Sequence, residues 1–188
     1  MPESEEATVR LAQRGDREAF RELFERHRDP VYGYVRQMVR DEDLAADLTQ
    51  DVFLRAYRSL PRLKAPGAFR GWLYAIAANR VRDHWRSPRL DALSLDASAD
   101  DGSGDVMVAD PAPGPERVAV REGLREAVAA AVEKLAPERR EVVVLHHLQG
   151  MDVRAIAGML GVAEGTVKSR LGRARADMRR HLMGWMEE

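Results

Sequence analysis

The strongest structural signal in the chain lies at residues 152–180, which read DVRAIAGMLGVAEGTVKSRLGRARADMRR. Its first half places Ile156, Ala157 and Leu160 on one side of a short helix, and Gly161 then tolerates the left-handed turn that a side chain resists. Beyond the turn, apolar residues return at a helical period, at Val167, Leu171, Ala174 and Met178. The pattern predicts two helices joined by a tight turn.

The second of these helices carries a strongly basic polar face. Between residues 166 and 180 there are six basic residues and the single acid Asp177. A basic helix after a tight turn is typical of a helix that enters the major groove of DNA, where arginine and lysine reach guanine edges and phosphates. A solvated surface helix explains the charge alone equally well, but the turn signature favours DNA binding.

The composition narrows the classes of function. The chain of 188 residues contains no cysteine, which excludes disulfides and thiolate zinc sites within it, and its five histidines do not lie at chelating spacing. No run of eighteen apolar residues occurs, and residues 1–30 lack the apolar segment of a signal peptide. We therefore expect an intracellular, cytoplasmic protein that binds no metal or cofactor.

The net charge of -1 conceals an uneven distribution of charge along the chain. Residues 61–90 hold seven basic residues and one acid, whereas residues 91–116 hold seven acids and no base. The acidic stretch is also rich in proline, glycine and serine, so it buries too little apolar surface to fold alone. The sequence predicts an all-α chain with two small helical domains, residues 5–86 and 117–184, joined by a flexible acidic linker at residues 87–116.

Further helices follow from local signals in both domains. In the second domain, Pro137 suits the first position of a helix, Gly150 suits the end of that helix, and Asp152 suits the N-cap of the next. Before Pro137, a stripe of apolar residues predicts a long helix: Val120, Leu124, Val128, Ala131 and Leu135. The apolar residues of the helix after Pro137 include Val142, Val143, Val144, Leu145 and Leu148. In the first domain, one predicted core face comprises Ala19, Phe20, Leu23, Phe24 and His27.

Two helices of the first domain also present polar faces. One helix has a face, at positions i, i+3, i+4 and i+7, that combines acidic and apolar side chains: Asp47, Gln50, Asp51 and Leu54. The last helix of the domain, predicted from Phe69 to Arg86, has a polar edge at the same spacing, formed by Asn79, Arg82, Asp83 and Arg86.

The stretch at residues 64–72 interleaves aromatic and basic side chains around a Pro-Gly turn. Aromatic faces that stack bases, combined with charges that hold the backbone, are typical of a site for single-stranded nucleic acid. Core packing of Phe69 and Trp72 is the alternative, and both roles fit in one small domain.

Three segments resemble bacterial RNA polymerase sigma factors of the extracytoplasmic-function (ECF) group. They are AADLTQDVFLRAY at residues 45–57, FRGWLYAIAAN at 69–79 and GTVKSRLGRAR at 165–175, in that order. The resemblance implies a sigma region 2 type domain and a sigma region 4 type domain with no catalytic activity. It also implies binding to core RNA polymerase and promoter DNA, and sequestration by a dedicated anti-sigma protein.

The resemblance implies roles for particular residues as well. Contacts with the −35 element fall on Glu164, Thr166, Lys168, Ser169, Arg170, Arg173 and Arg175. The residues that it implies for melting and reading the −10 element are Lys64, Phe69, Arg70, Trp72, Asn79, Arg82, Asp83 and Arg86. Docking on the clamp helices of the polymerase falls on Asp47, Gln50, Asp51, Val52, Phe53 and Leu54. The chain departs from the family pattern at Ala163, often Ser, and at Ala155, usually Glu.

Two other functions are left open by the sequence alone. A stand-alone helix-turn-helix regulator would bind duplex DNA tightly without polymerase and would use dimer symmetry, for which the chain shows no heptads or ligand domain. An enzyme with an accessory DNA-binding tail is the more remote alternative. It would be supported by a large polar pocket in the first domain.

Overall fold

A computed structural model of the chain describes residues 4–86 and 115–186, with the side chains of the second range described from residue 123 to residue 183. Every secondary-structure element in these ranges is helical, which confirms the predicted all-α class. The predicted linker lies outside the described residues, except that a helix already begins at Pro115. No helix within the described ranges combines the length and the apolar character needed to cross a membrane. The helices form two units, which are described separately.

The first unit contains four helices, with α2 packed against the other three. Their bounds are α1 Glu5–Gln13, α2 Arg17–Val39, α3 Glu42–Ser59 and α4 Phe69–Arg86. Residues 60–68, here called the α3–α4 loop, contain two short 3₁₀ turns, at Leu60–Arg62 and Pro66–Ala68. The loop touches α1, so the segment that leads into α4 is held on the side of the unit.

Capping side chains fix where α2 and α3 begin. The Asp16 carboxylate accepts the backbone N–H of Glu18 at 2.9 Å and that of Ala19 at 3.1 Å, and Asp41 accepts the N–H of Leu44 at 2.9 Å. Helix α2 continues through Pro30, although proline removes a backbone donor. The helix survives because buried side chains lie on both sides of the proline, and tertiary packing outweighs local propensity.

The core of the first unit is built around two tyrosines. The rings of Tyr34 and Tyr74 meet edge to face with centroids 5.6 Å apart, and burial raises the pKa of Tyr74 to about 12. Leu23 and His27 are buried as predicted, but Phe20 and Phe24 are only half-buried. The prediction of these two phenylalanines as core is therefore wrong. Both lie at the edge where α2 meets α3.

The second unit contains the predicted helix-turn-helix. Its helices are α5 Pro115–Glu133, α6 Pro137–Val143, α7 Val153–Leu160 and α8 Glu164–Met186, and α6 continues into a π turn at Val144–Leu148. Asp152 caps α7 by accepting the N–H of Ala155 at 2.7 Å. Gly150 and Gly161 have φ values of 61° and 67°, which confirms the predicted left-handed turn at Gly161.

The apolar stripes of α7 and α8 form the core of this unit as predicted. Ile156, Ala157, Val167, Leu171 and Ala174 are all buried, and α8 packs against both α5 and α6. The buried Arg140 side chain joins α6 to the end of α5 by donating to the carbonyl oxygens of Val132, Glu133 and Leu135 at 3.3, 2.6 and 3.0 Å. These bonds satisfy acceptors that a helix end otherwise leaves unpaired.

Two predicted core residues of the second unit are exposed instead. Leu124 is 48% exposed and Leu148 is 50% exposed. The π turn explains Leu148, because its wider spacing rotates the following side chains relative to an α-helix. Among the stripe residues whose side chains are described, Ala131 and Leu135 are buried, Val128 is half-buried and Leu124 is exposed, so periodicity alone overestimated how far that stripe is covered.

Candidate nucleic-acid and polymerase interfaces

Helix α8 presents its predicted basic face to solvent. Val167, Leu171 and Ala174 are buried and fix the orientation of the helix. Most of the predicted −35 contacts are therefore exposed, namely Glu164, Lys168, Ser169, Arg173 and Arg175, whereas Thr166 and Arg170 are half-buried. The Ser169 hydroxyl donates to the Thr166 carbonyl at 2.9 Å, and this bond orients the hydroxyl along the helix.

The single acid of this face is neutralised within the unit. Asp177 accepts hydrogen bonds from Arg139 and, at 2.5 Å, from Arg180. The Arg139 guanidinium first, and that of Arg180 second, hold the pKa of the Asp177 carboxyl below its ordinary value. The other basic residues of α8 therefore form a positive surface on the part of α8 that follows the turn of the helix-turn-helix.

The segment from Lys64 to Trp72 is only partly available for binding. Lys64 and Arg70 are exposed and Trp72 is half-buried. Phe69 is 1% exposed, packed against the His27 ring at a centroid distance of 5.3 Å and the Trp72 ring at 5.9 Å. This corrects the prediction of Phe69 as a DNA contact, because its ring has no free face on which a base stacks.

The polar edge of α4 is observed as predicted in its exposed members. Asn79, Asp83 and Arg86 are exposed. Arg82 is half-buried, and its Nε and Nη2 atoms are buried without a hydrogen-bond partner among the described residues. Sequence reasoning missed Trp85, which is 43% exposed near the end of the same helix. Its position beside Arg86 in a basic helix is the signal that could have identified it.

The predicted docking face on α3 divides into exposed and buried residues. Asp47, Gln50 and Leu54 are exposed, and Asp51 is half-buried. Val52 and Phe53 are 0% and 5% exposed. The prediction of Val52 as a surface contact is therefore wrong, and Phe53 is too deeply buried to be an exposed contact. Val52 lies one helical turn after the buried Leu48 and so shares the core face.

Asp51 is held by a residue of α4. Its Oδ2 atom accepts a hydrogen bond from Arg80 Nη2 at 2.5 Å, and Arg80 Nη1 lies 3.8 Å from the carboxylate of Asp83. The Arg80 side chain is largely buried. The acidic face of α3 and the polar edge of α4 are therefore joined by one guanidinium group.

An open apolar groove of about 620 Å³ lies between α2 and α3. Two edge-to-face ring pairs form its walls, Phe20 with Tyr57 at 4.9 Å and Phe24 with Phe53 at 4.8 Å. Gln50, Leu54 and Tyr32 line its edges. The sequence assigned Phe20 and Phe24 to the core, so it missed the groove. The lining is mainly aromatic, so this groove is not the large polar pocket that would have supported the enzyme alternative.

Comparison with known proteins identifies both units. The model of Sigma-70 region 2 matches residues 23–90, and that of Sigma-70, region 4 matches residues 125–178. The RNA polymerase sigma-H factor of Pseudomonas aeruginosa is 30% identical over 191 residues, covering 99% of this chain and 97% of that protein. The ECF RNA polymerase sigma-E factor of Escherichia coli K12 is 30% identical over 177 residues, covering 92% and 91%.

A solved structure has a similar helical fold. CnrH in complex with the cytosolic domain of CnrY matches this chain with a TM-score of 0.68 and 28% identity, over 96% of this chain and 97% of that one. The family matches fall on the two helical units in the order that the motifs predicted, and the relatives match over nearly their full length. The chain therefore belongs to the ECF RNA polymerase sigma factors, and it directs RNA polymerase to promoters without being an enzyme.

Proposed function

We propose that the chain divides promoter recognition between two domains, residues 5–86 and 117–184, with residues 87–116 as the acidic linker. The second domain binds the duplex −35 element, and the first binds core polymerase and the melted −10 element. The observation that carries this proposal is the separation of exposed cations and aromatics from buried stripes within each unit.

The −35 role rests on α8. Its first turns follow directly from the left-handed turn at Gly161, and recognition helices of this motif contact base edges through their N-terminal residues. Lys168, Arg173 and Arg175 are exposed there, and the neutralised Asp177 does not oppose them. We assign base and phosphate contacts to Glu164, Thr166, Lys168, Ser169, Arg170, Arg173 and Arg175.

The −10 role rests on the α3–α4 loop and the polar edge of α4. Lys64, Arg70 and Arg86 supply exposed positive charge, and Trp72 and Trp85 supply partly exposed rings. Charge along a groove combined with aromatic platforms is the chemistry that binds single-stranded nucleic acid. Asn79 and Asp83 add exposed groups able to hydrogen-bond an unstacked base, and the unpaired nitrogen atoms of Arg82 are satisfied if its side chain turns outward to a phosphate.

The polymerase contact rests on the exposed residues of α3 together with the apolar groove. Gln50 and Leu54 line the groove, and Asp47 is exposed on the same helix, so α3 presents charge together with apolar area. Such a combination is typical of the centre and rim of a protein interface. We assign the contact to Asp47, Gln50, Asp51 and Leu54, with Phe53 in the wall of the groove.

Regulation by an anti-sigma protein is proposed from a relative. CnrH, which is 28% identical to this chain, has been solved in complex with the cytosolic domain of CnrY. We infer that this chain is also held by a partner protein, and that it acts in the cytoplasm, where it meets polymerase and DNA.

Run-off transcription with core polymerase on a genomic promoter library tests the proposal and identifies a cognate promoter. On that promoter, Arg173→Ala should reduce transcription while leaving the affinity for core polymerase unchanged. Asp47→Ala should weaken core binding, and it does so without breaking the Asp51–Arg80 pair. Arg179→Ala, at an exposed position on α8 outside the assigned contacts, is the matched control and should behave like the unaltered chain. The residue assignments fail if Arg173→Ala and Asp47→Ala both bind core and initiate normally.

A further inference from the structure

Helix α1 is fastened to the α3–α4 loop by a side chain near its end. The Nε2 atom of Gln13 donates to the carbonyl oxygen of Leu63 at 2.7 Å and to that of Leu60 at 3.1 Å. Leu60 lies 47 positions and Leu63 lies 50 positions after Gln13 in the chain, where the loop leaves α3. Lys64, an assigned −10 contact, follows directly.

Glutamine suits this position for a chemical reason. Its amide nitrogen carries two hydrogens, each of which reaches a different carbonyl oxygen. One side chain therefore joins α1 to both ends of the first 3₁₀ turn, which is itself closed by the Leu63 N–H donating to the Leu60 carbonyl oxygen at 3.0 Å. Met has a similar length but no donor, and Glu has the same shape but presents acceptors to both carbonyls.

Two further contacts place α1 along the whole loop. A Cβ atom at Gly67 would lie 2.5 Å from Glu6 Oε1, so the Glu6 side chain covers the tip of the loop. Glu5 Oε1 lies 2.5 Å from His27 Nε2, and the His27 ring packs against Phe69, where the loop enters α4. Helix α1 is itself anchored by buried Thr8, Val9 and Ala12.

We propose that Gln13 is a positioning residue for −10 recognition, which it serves by holding the loop that carries Lys64 and leads into Arg70 and Trp72 at the start of α4. Gln13 lies before residue 23, where the match to Sigma-70 region 2 begins. The inference rests on the proposed −10 role of that loop. Its physical basis is preorganisation, because a loop held in one conformation gives up less conformational freedom when the melted strand binds.

The test uses full-length chains assembled with core polymerase on the promoter selected from the library, well below the unfolding temperature. Run-off transcription is measured on that promoter and on derivatives with single-base changes in the −10 element. We expect Gln13→Met to reduce the ratio of selected to altered output by roughly three- to tenfold, since two hydrogen bonds are lost. Gln13→Glu should reduce it further, because a carboxylate would face two carbonyl oxygens. Arg14→Ala, at the next and exposed position, should leave the ratio unchanged.

Three measurements separate positioning from a purely structural role. Core affinity and the response to −35 changes should stay the same in the Gln13 variants, and the thermal unfolding temperature reports any general loss of stability. An equal fall in output on all promoters, with an unchanged ratio, overturns the inference. If Lys64→Ala and Arg70→Ala change the ratio while the Gln13 variants do not, only the inference fails. If none of them changes it, the proposed −10 role of the loop fails, and the inference with it.

Discussion

Asp51 shows how a single residue serves two surfaces. It borders the proposed polymerase contact, and its carboxylate also pairs with the largely buried Arg80 of α4. A buried guanidinium group that loses its partner is costly, because the protein has already removed its water. A substitution at Asp51 therefore changes stability as well as any contact with polymerase.

A double variant separates these two effects. We expect Asp51→Ala to lower the free energy of unfolding by about 1–3 kcal/mol, because the acid that then remains beside Arg80 in the described part of the chain is the more distant Asp83. Adding Arg80→Met removes the stranded charge and should restore part of that stability. Urea unfolding measures the free energy of unfolding, and titration with core polymerase measures the affinity for core. Core affinity that returns in the double variant would show that Asp51 acts only through Arg80.

His147 links stability of the second unit to pH. Although His147 is exposed, partial desolvation of its ring, and then the nearby His146 and Arg175, lower the pKa of His147 below its ordinary value of 6.5. The unfolded chain therefore takes up the proton first as pH falls, so stability should be present above pH 6.5 and decline as pH falls through the lowered value.

Thermal unfolding at pH 7.5 and 5.0 tests this expectation. His147→Gln should show a smaller drop in unfolding temperature between the two pH values than the unaltered chain. His181→Gln, at an exposed position on α8, is the matched control and should keep the full drop. An identical drop in the His147 variant would contradict the assigned cause.

At the scale of helices, Gly161 and Gly158 have opposite requirements although only three positions separate them. Gly161 has a φ of 67° in the turn of the helix-turn-helix, whereas Gly158 lies inside α7, and a Cβ added there meets no atom within 4 Å. We expect Gly161→Ala to destabilise the second unit by about 1 kcal/mol and to weaken −35 binding. Gly158→Ala should stabilise it by about 0.5–1 kcal/mol through helix propensity. Denaturant unfolding decides both signs, and destabilisation by Gly158→Ala would show that α7 packs too closely for a methyl group.

The helices themselves could be predicted because their signals are local. Pro137, Asp152 and Gly161 act through backbone chemistry within a few residues, and the structure confirms all three. The exposure of Leu124 and Leu148 could not be predicted, since it depends on how far a neighbouring helix extends and on a π turn. A stripe shows which side of a helix is apolar, but it does not show how much of that side is covered.

The candidate sites show the same division between local and distant causes. Periodicity placed Asp47, Gln50 and Asn79 on exposed faces because position on a helix determines direction. The assignment of Phe69 to nucleic acid rested on the aromatic and basic residues near it in sequence, and it failed because His27 from another helix packs against the ring. Periodicity missed the aromatic groove, which lies where α2 and α3 meet. Gln13 escaped notice for the same reason, since its acceptors lie about fifty residues away.

At the scale of the whole molecule, the proposed contacts fall in separate units. Arg173 belongs to the second unit and Asn79 to the first, so we expect the effects of their substitution to combine independently. We expect the fold reduction in transcription by the double variant Arg173→Ala/Asn79→Ala to match the product of the two single reductions within about twofold. Run-off transcription measures all three. A double variant no weaker than the worse single variant would show that one unit engages the promoter only through the other.

The attachment of α1 also bears on how the chain is divided for study. A truncation at residue 23, where the match to region 2 begins, would delete Val9 and Ala12 from the amino-terminal bundle and remove the Gln13 hydrogen bonds to the carbonyl groups of Leu60 and Leu63. Such a fragment would bare apolar surface that the intact bundle hides. Its failure to open a promoter would then report a damaged scaffold, so the smallest useful piece has to retain its leading helix.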